Sequence, residues 1–258
     1  MPVSLNTLTG RHARASRLAH RLRAILPAGA ALDVHEIGDH HHALHPVERQ
    51  AVARAVPQRV REFSTGRRCA RAALSALGLP HRAIPVGANR EPVWAKGYVG
   101  TISHSREICL AVAARTDDVP ALGADLDSIE PLSPELRGLI CTVEELRAAP
   151  AWSGGGIDPY KVIFSAKEAL YKALYPHARR FIDFLEVGIR LDVAVGRWRV
   201  ASLPADLRGW AAMPVEGRFL VVDRDLVTLA WATRVPRAEP LPRLPLGFHL
   251  PDNQEVFE

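Results

Sequence analysis

The sequence predicts an α+β fold, because it contains both helical and strand patterns and neither is dominant. Residues 46–77 are typical of a helical stretch, which ends at Gly78 with Pro80 just beyond. The apolar runs 108–114 and 121–127 have the length and composition of short buried strands on either side of a polar turn. With 258 residues, of which 48% are hydrophobic and 24% charged, the chain can bury one large core or two smaller ones.

A second helix is predicted to begin at Asp158, a favourable N-cap, with Pro159 at its first position and an end near Pro176. Glu168 and Lys172 lie one turn apart on one face of this helix and can address the same ligand. The pair Ser165 and Glu168 also matches a capping box, but Ser165 lies too far inside the helix for that role. The opposite, apolar stripe consists of Ile163, Ala166, Leu170, Ala173 and Leu174.

Two acidic residues, Asp125 and Asp127, lie on the predicted strand 121–127 and therefore point to the same face. Together with Glu168, which Lys167 and Lys172 flank, they can hold a divalent metal ion and a polyphosphate at once. Magnesium binds carboxylate oxygens and shares its remaining positions with water and phosphates, while lysines neutralise the other phosphate oxygens. Two alternatives remain open: the aspartates are turn residues, or Glu168 and Lys172 form a solvated salt bridge.

The remaining segments are assigned in chain order. Residues 1–32 contain five Arg and no acid, which favours an amphipathic first helix with Leu18, Leu22 and Ile25 on one side over a transit peptide. A Pro- and Gly-rich loop over 81–100 leads to a strand that ends at residues 101–104. A helical stretch over 133–149 contains the capping box of Thr142 and Glu145. Residues 153–156 form a flexible connector, 185–200 and 216–233 are strands, and 236–258 form a Pro-rich, irregular tail.

The charge is concentrated near the start of the chain. The net charge is +5, but residues 1–71 alone carry twelve Arg and five acids, a surplus of seven positive charges. Such a surplus implies an anionic partner, of which a nucleic acid is one option. No helix-turn-helix, zinc finger or aromatic interleaving supports nucleic-acid binding, so a non-catalytic nucleic-acid-binding protein is the alternative function.

Three scattered cysteines, Cys69, Cys109 and Cys141, form neither a disulfide framework nor a metal-binding pair, which predicts a cytoplasmic setting. No apolar run approaches the length of a membrane span. The cluster of His40, His41 and His42 is interpreted as an exposed loop rather than a metal site, because adjacent histidines point in different directions.

Four ordered motifs over residues 59–184 resemble those of the 4′-phosphopantetheinyl transferases that activate siderophore, polyketide and non-ribosomal peptide synthases. They are an Arg-rich helix at residues 67–74, a Pro-Trp-Gly-Ser-His segment at 87–105, the acidic strand at 123–127 and the Lys-Glu helix at 164–172. The chain departs from the family pattern in having Asp127 where Glu is usual and Ala124 where Ile or Val is usual. The shorter Asp127 side chain contacts a metal either directly or through water.

The resemblance implies a fold and an activity. The fold is two similar α+β halves that form a pseudo-dimer with the coenzyme cleft between them, here residues 1–117 and 118–235, followed by the tail 236–258. The activity is the transfer of 4′-phosphopantetheine from coenzyme A to a serine of an acyl or peptidyl carrier protein, with release of 3′,5′-ADP. It implies a cytoplasmic monomer that uses Mg²⁺, or Mn²⁺ instead, and that binds neither membrane nor nucleic acid.

The resemblance also implies the roles of individual residues. Asp125, Asp127 and Glu168 would be metal ligands. Glu168, Lys172 and Lys167 would be catalytic, with Glu168 or a metal-bound water taking the serine proton. The coenzyme would be bound by Arg59, Arg67, Arg90, Ser103, His104 and Lys172, with Arg59 and Arg67 on the 3′-phosphate.

Overall fold

The computed structural model describes residues 5–152, 156–207 and 213–233, with side chains from residue 13 onward. The predicted connector 153–156 falls almost wholly outside these residues, and the predicted tail 236–258 falls entirely outside them. The described part contains helices and two antiparallel sheets, so the α+β prediction is confirmed. No helix within it is long and apolar enough to cross a membrane.

The first sheet has three antiparallel strands in the order β1-β3-β2. The elements in this part of the chain are α1 (Leu5–Arg23), β1 (Ala30–Glu36), α2 (Pro46–Ala51), α3 (Pro57–Ala76), β2 (Tyr98–His104) and β3 (Ile108–Arg115). The single helix predicted over 46–77 is wrong in one respect: it is two helices, α2 and α3, because Pro57 starts a new helix at its first turn. Helix α3 ends as predicted, with Gly78 at a φ of +81°.

The second sheet has five antiparallel strands in the order β4-β8-β7-β6-β5. Its part of the chain contains β4 (Ala121–Ser128), α4 (Pro134–Ile140), α5 (Val143–Ala148), α6 (Pro159–Ala178), β5 (Gly188–Asp192), β6 (Arg197–Ser202), β7 (Val215–Val222) and β8 (Asp225–Ala232). The segments 185–200 and 216–233 each contain two strands, which turn at Gly196 and Asp223, both with positive φ. The capping box of Thr142 and Glu145 is formed as predicted.

Helix α6 begins as the sequence predicts. The Asp158 side chain accepts a hydrogen bond from the Tyr160 amide, and Pro159 is the first helical residue. The predicted end at Pro176 is wrong, since the helix continues to Ala178 and stops at Arg179, whose φ of 53° is left-handed. Pro176 has no N–H group and so removes one backbone hydrogen bond from the last turns of α6. The helix tolerates this loss because its apolar side is packed against the second sheet. The predicted apolar stripe of α6 is buried against the second sheet.

The two sheets share a core, which holds the halves together around the cleft. Leu18 and Leu22 of α1 are fully buried against residues of both sheets, among them Leu110 and Val112 of β3 and Leu122 of β4. The amphipathic first helix is thereby confirmed. The chain passes from the first sheet to the second through residues 116–120, next to the predicted division at 117, and those domain limits stay a prediction.

Candidate active site

Strand β4 and helix α6 form the floor of the candidate site, and Gly123 sets their separation. A Cβ atom at Gly123 would overlap the carbonyl oxygen of Ala169, so only glycine allows the helix to lie this close. Asp125 and Asp127 follow on the same face of β4. Asp125 is buried, whereas a third of the Asp127 side chain is exposed.

Asp125 is held by three residues from three elements. Its Oδ1 accepts hydrogen bonds from Lys172 Nζ at 2.8 Å and from Ser103 Oγ at 3.1 Å, and its Oδ2 accepts one from Ser165 Oγ at 2.9 Å. Burial alone would raise the pKa of Asp125, but Lys172 and the two hydroxyl groups outweigh burial, so the pKa is lowered. Asp125 is therefore an ionised carboxylate at the junction of the two halves.

Lys172 connects the halves. Besides Asp125, its ammonium group donates to Ser103 Oγ of β2 and to the Ala124 carbonyl of β4, each at 3.1 Å. Its three donors are thus engaged, and a quarter of the side chain is exposed to the cleft. The salt bridge between Glu168 and Lys172 that was left open from the sequence is not formed, because Lys172 pairs with Asp125 instead.

Glu168 has no hydrogen-bond partner among the residues that the structure describes. Burial raises its pKa above the ordinary value; Lys172 opposes this shift, while Asp125 and Asp127 add to it by like-charge repulsion. Asp127 accepts from the Ser128 amide at 2.7 Å and forms an ion pair with Lys161. The three acids therefore influence one another electrostatically.

The chemistry of these three acids fits a divalent cation, although their arrangement is not closed around one point. A divalent cation would reduce the electrostatic repulsion between a half-buried carboxylate and two neighbouring carboxylates. Within residues 5–152, 156–207 and 213–233, however, no three His, Cys, Asp or Glu side chains converge on a common position. Lys172 and Lys161 supply the positive charge beside Asp125 and Asp127. The predicted exclusion of a metal site at His40, His41 and His42 stays a prediction.

The position of Lys167 corrects its prediction as a catalytic residue. Its side chain is only 3% exposed, and its ammonium group donates to Glu145 Oε2 at 2.7 Å and to the carbonyls of Ile140 and Phe184 at 2.8 Å. All three donors are used inside the protein, on a face of α6 that turns away from Asp125. Lys167 therefore fixes α5 and the loop at residue 184 instead of binding phosphate.

On the other side of the cleft, Arg59 and His104 lie together. Arg59 Nη1 is 3.3 Å from His104 Nε2, and Glu62 lies 3.5 Å from Arg59 and 3.7 Å from His104. His104 Nδ1 is 3.2 Å from the Ser105 carbonyl, which can only accept, so Nδ1 carries a proton. Arg59 is half exposed and free to turn toward an anion. The contacts therefore form two groups, Ser103 with Asp125 and Lys172, and Arg59 with His104, which the adjacent residues 103 and 104 of β2 link.

Arg67 is more deeply placed than the sequence suggested. Its Nε donates to the Ile84 carbonyl at 2.7 Å, and its guanidinium lies 4.3 Å from the centre of the Phe63 ring. Burial lowers its pKa to about 10, with further lowering by nearby arginines against a raising effect of Glu48. These contacts use only part of its five donors. The binding of a phosphate by Arg67 stays a prediction, but the residue also anchors the loop that follows α3.

Arg90 lines a cavity of about 450 Å³ between the loop at 89–94, strand β2 and the C-terminal half of α6. Lys172 lies on its wall, and Glu91 and Arg179 approach to 3.9 Å across the two halves. The hydroxyl of Tyr175 is buried on this wall without a hydrogen-bond partner among the described residues. The cavity therefore presents the positive charge of Arg90, Lys172 and Arg179 to a ligand.

Lys161, Ser165 and Thr228 lie near the site but are not among the residues that the sequence predicts for it. Lys161, Ser165, Glu168 and Lys172 follow one another at intervals of four, three and four residues, so a polar stripe on α6 could have been recognised. No such signal exists for Thr228, which reaches the site only because β8 pairs with β4 in a register that opposes it to Asp125.

Comparisons with known proteins identify the family of this chain. Residues 47–114 match the family model of the 4′-phosphopantetheinyl transferase N-terminal domain, and residues 121–210 match that of the 4′-phosphopantetheinyl transferase superfamily. The chain is 34% identical to the 4′-phosphopantetheinyl transferase Svp of Streptomyces mobaraensis over 75% of its own length and 80% of the relative's. It is 32% identical to the enzyme PptT of Mycobacterium tuberculosis over 72% and 84%.

Among solved structures, the holo-[acyl-carrier-protein] synthase of Neisseria meningitidis matches 45% of this chain and 99% of its own, with 24% identity and a TM-score of 0.37. This overlap is too small to support an argument. The two family models and the two relatives establish that the chain belongs to the 4′-phosphopantetheinyl transferase superfamily.

Proposed function

We propose that this protein transfers the 4′-phosphopantetheine group of coenzyme A to a serine hydroxyl of an acyl or peptidyl carrier protein and releases 3′,5′-ADP. The observation that carries the proposal is the contact of Lys172 with Asp125 and Ser103, at 2.8 and 3.1 Å, because it places a cation and an acid at the junction of the two halves. Phosphoryl transfer requires mainly alignment and charge neutralisation, which such a cleft supplies.

The coenzyme phosphates are proposed to lie between Lys172 and the pair of Arg59 and His104. Arg59 is exposed enough to bind the 3′-phosphate, and His104 stands beside it. Arg90 extends the positive lining into the cavity at β2, and Arg67 supports the loop beneath it. Lys172 already neutralises the Asp125 carboxylate. An incoming phosphate would replace part of the contacts of Lys172, whose charge would then stabilise the negative charge that develops in the transition state.

Asp125 and Glu168, with Asp127 beside them, are proposed to hold Mg²⁺ or Mn²⁺, a cation that polarises the pyrophosphate when it is bound. Either Glu168 or a water bound to the cation is proposed to accept the proton of the attacking serine.

The structure gives less support to nucleic-acid binding than the sequence did. Arg14 pairs with Asp225 and Glu107, Arg17 with Asp223, and Arg71 with Glu48. Arg14 and Arg17 are neutralised by acids outside residues 1–71, so the surplus of seven positive charges overstates the exposed charge, whereas Glu48 is already counted in that surplus. We propose that the protein acts as a cytoplasmic monomer on carrier proteins.

Mass spectrometry of intact carrier proteins tests this function. An apo-carrier incubated with coenzyme A, Mg²⁺ and the protein should gain the mass of one phosphopantetheine group. A carrier whose acceptor serine is replaced by alanine is the matched control on the substrate, and Lys172→Met is the control on the protein. No gain on any acyl or peptidyl carrier, or an equal gain with Lys172→Met, would overturn the proposal or the role of Lys172.

A further inference from the structure

A chain of two buried hydroxyl groups lies behind Asp125, on the side away from the cleft. Ser165 Oγ is 2.9 Å from Asp125 Oδ2 and 2.7 Å from Thr228 Oγ1, and both residues are fully buried. Ser165 comes from α6 and Thr228 from β8, where it stands directly opposite Asp125 across the pair of strands. The Thr228 hydroxyl thus reaches the Asp125 carboxylate only through Ser165.

The direction of these hydrogen bonds follows from the donors available. Asp125 is ion-paired with Lys172 and therefore accepts only. The single hydroxyl proton of Ser165 is accordingly donated to Asp125 Oδ2. Thr228 must then donate its own proton to Ser165. The resulting order, Thr228 to Ser165 to Asp125, is one in which each bond polarises the next.

This order also fixes the rotation of the carboxylate. A carboxylate on Cβ turns readily, since its terminal torsion is broad. With Oδ2 held by Ser165, Oδ1 must face Ser103 and Lys172 in the cleft. The hydroxyl pair therefore helps to fix the plane of the carboxylate, with one oxygen on Ser165 and the other facing Ser103 and Lys172.

We infer that Ser165 and Thr228 are positioning residues, which hold the Asp125 carboxylate in the orientation in which it meets Lys172 and would ligate a divalent cation. The inference rests on the proposed function, because it takes Asp125 as a ligand of the cation. Neither residue touches the cleft, so each acts only through Asp125. Groups that orient a metal ligand in this way commonly affect metal affinity or activity by about 10- to 100-fold.

Substitution at Thr228 tests the inference with little change of shape. Thr228→Val keeps the volume but removes the hydroxyl, whereas Thr228→Ser retains it. We expect Thr228→Val to weaken Mn²⁺ binding, measured by electron paramagnetic resonance without coenzyme A, and to lower kcat, each by about tenfold. The KM for coenzyme A should change less, and Thr228→Ser should restore both properties.

Thr65→Val is the matched control. Thr65 is equally buried in the other half of the molecule, where its hydroxyl donates to the Arg61 carbonyl at 2.8 Å. A purely structural role predicts that Thr65→Val and Thr228→Val lower Tm alike and that both keep the Mn²⁺ affinity and kcat of the wild type. That result would overturn the inference.

Two further outcomes, misfolding of Thr228→Val and failure of the proposed function, are distinguished by a second variant and by the wild-type protein. If Thr228→Val fails to fold, Ser165→Cys replaces the hydroxyl by a weaker thiol donor at nearly the same size, and the same loss of Mn²⁺ affinity is expected. Retained affinity in a folded Ser165→Cys would contradict the inference. If the wild type binds Mn²⁺ but modifies no carrier, the proposed function fails while the Mn²⁺ comparison still decides the positioning role.

Discussion

At the scale of single residues, the cleft shifts the pKa values of Asp125 and Glu168 in opposite directions. Lys172 is one turn away on the same helix, yet it gives its donors to Asp125, Ser103 and Ala124. Asp125 is therefore kept ionised, whereas burial raises the pKa of Glu168. Two acids with opposite pKa shifts can take different parts in one reaction, one as a fixed charge and the other as a proton acceptor.

We expect Glu168→Gln to abolish transfer and to raise Tm at about pH 7 when no divalent metal is present. A raised pKa in the folded state means that Glu168 contributes stability below its unfolded pKa of about 4.5 and loses that contribution as the pH rises through the folded pKa. Glutamine escapes this loss. Melting curves between about pH 4 and 8 should show a difference in Tm that closes toward the acid end.

Glu216→Gln, at an exposed position of β7, is the control for removal of a carboxylate. A difference in Tm for Glu168→Gln that does not depend on pH would contradict the explanation from burial. Retained transfer would remove Glu168 from the catalytic residues.

Arg59→Ala tests recognition of the 3′-phosphate more cleanly than Arg67→Ala, because Arg67 also anchors the Ile84 carbonyl inside the protein. A charge-assisted hydrogen bond contributes about 1.5–3 kcal/mol, so KM for coenzyme A should rise by about one to two orders of magnitude. KM for dephospho-coenzyme A, which lacks this phosphate, should change little. Steady-state kinetics with both substrates distinguish the cases, and equal effects on the two would exclude the 3′-phosphate as the partner of Arg59.

At the scale of elements, α6 carries different functions on different faces. Its polar stripe meets β4 and the cleft, while Lys167, one residue before Glu168, is buried with Glu145 of α5. The close approach of α6 to β4 depends on Gly123. The same helix therefore presents the site and fastens the second half together.

Gly123→Ala should destabilise the fold, because the obstructing atom is a backbone oxygen of Ala169 and cannot turn aside. Overpacking of this kind costs about 1–3 kcal/mol or more, measured as a loss of free energy of unfolding in urea. Gly138→Ala in α4 is the control, since a Cβ there meets no atom within 4 Å and alanine favours a helix. Equal stability of the two variants would mean that α6 and β4 can separate without cost.

Lys167→Met should lower stability far more than Lys172→Met. Removal of one member of a buried ion pair costs about 3–5 kcal/mol, because Glu145 would remain charged and unpaired at 2% exposure. Lys172 is partly exposed and its loss should mainly reduce transfer. Urea unfolding and carrier modification of both variants provide the comparison, and a stable but inactive Lys167→Met would restore Lys167 as a catalytic residue.

At the scale of the whole molecule, charge and packing join the halves. Helix α1 lies in a core shared by both sheets, and Arg14 and Arg17 of this helix pair with Asp225 and Asp223 of the second half. Part of the positive charge near the start of the chain therefore serves the fold. The exposed remainder, Arg59 among it, is what an acidic carrier surface can meet.

We expect added salt to lower kcat/KM for the carrier protein before it lowers kcat. Attraction between the basic cleft and an acidic carrier speeds encounter, and it weakens as the Debye length falls from about 10 Å at 0.1 M salt to about 3 Å at 1 M. The titration requires saturating coenzyme A at every salt concentration, so that weaker coenzyme binding does not contribute. A flat kcat/KM between low and physiological salt would indicate apolar docking.

The sequence by itself determined the class of the fold, the start of α6 at Asp158 and Pro159, and the acidic strand of Asp125 and Asp127. These features depend on local chemistry: periodicity, capping and alternation along one element. Family resemblance also predicts Arg59, Ser103, His104 and Lys172 as residues of one site; in the structure Ser103 contacts Lys172, and Arg59 contacts His104.

Only the tertiary structure decided which partners these side chains take. Lys167 and Lys172 look alike in sequence, but one is buried with Glu145 and the other faces Asp125. The pairing of Thr228 with Asp125 depends on the register of β8 against β4, which no local pattern specifies. Partner choice is a property of contacts between elements distant in sequence, so it becomes fixed only when the two sheets and α6 pack together.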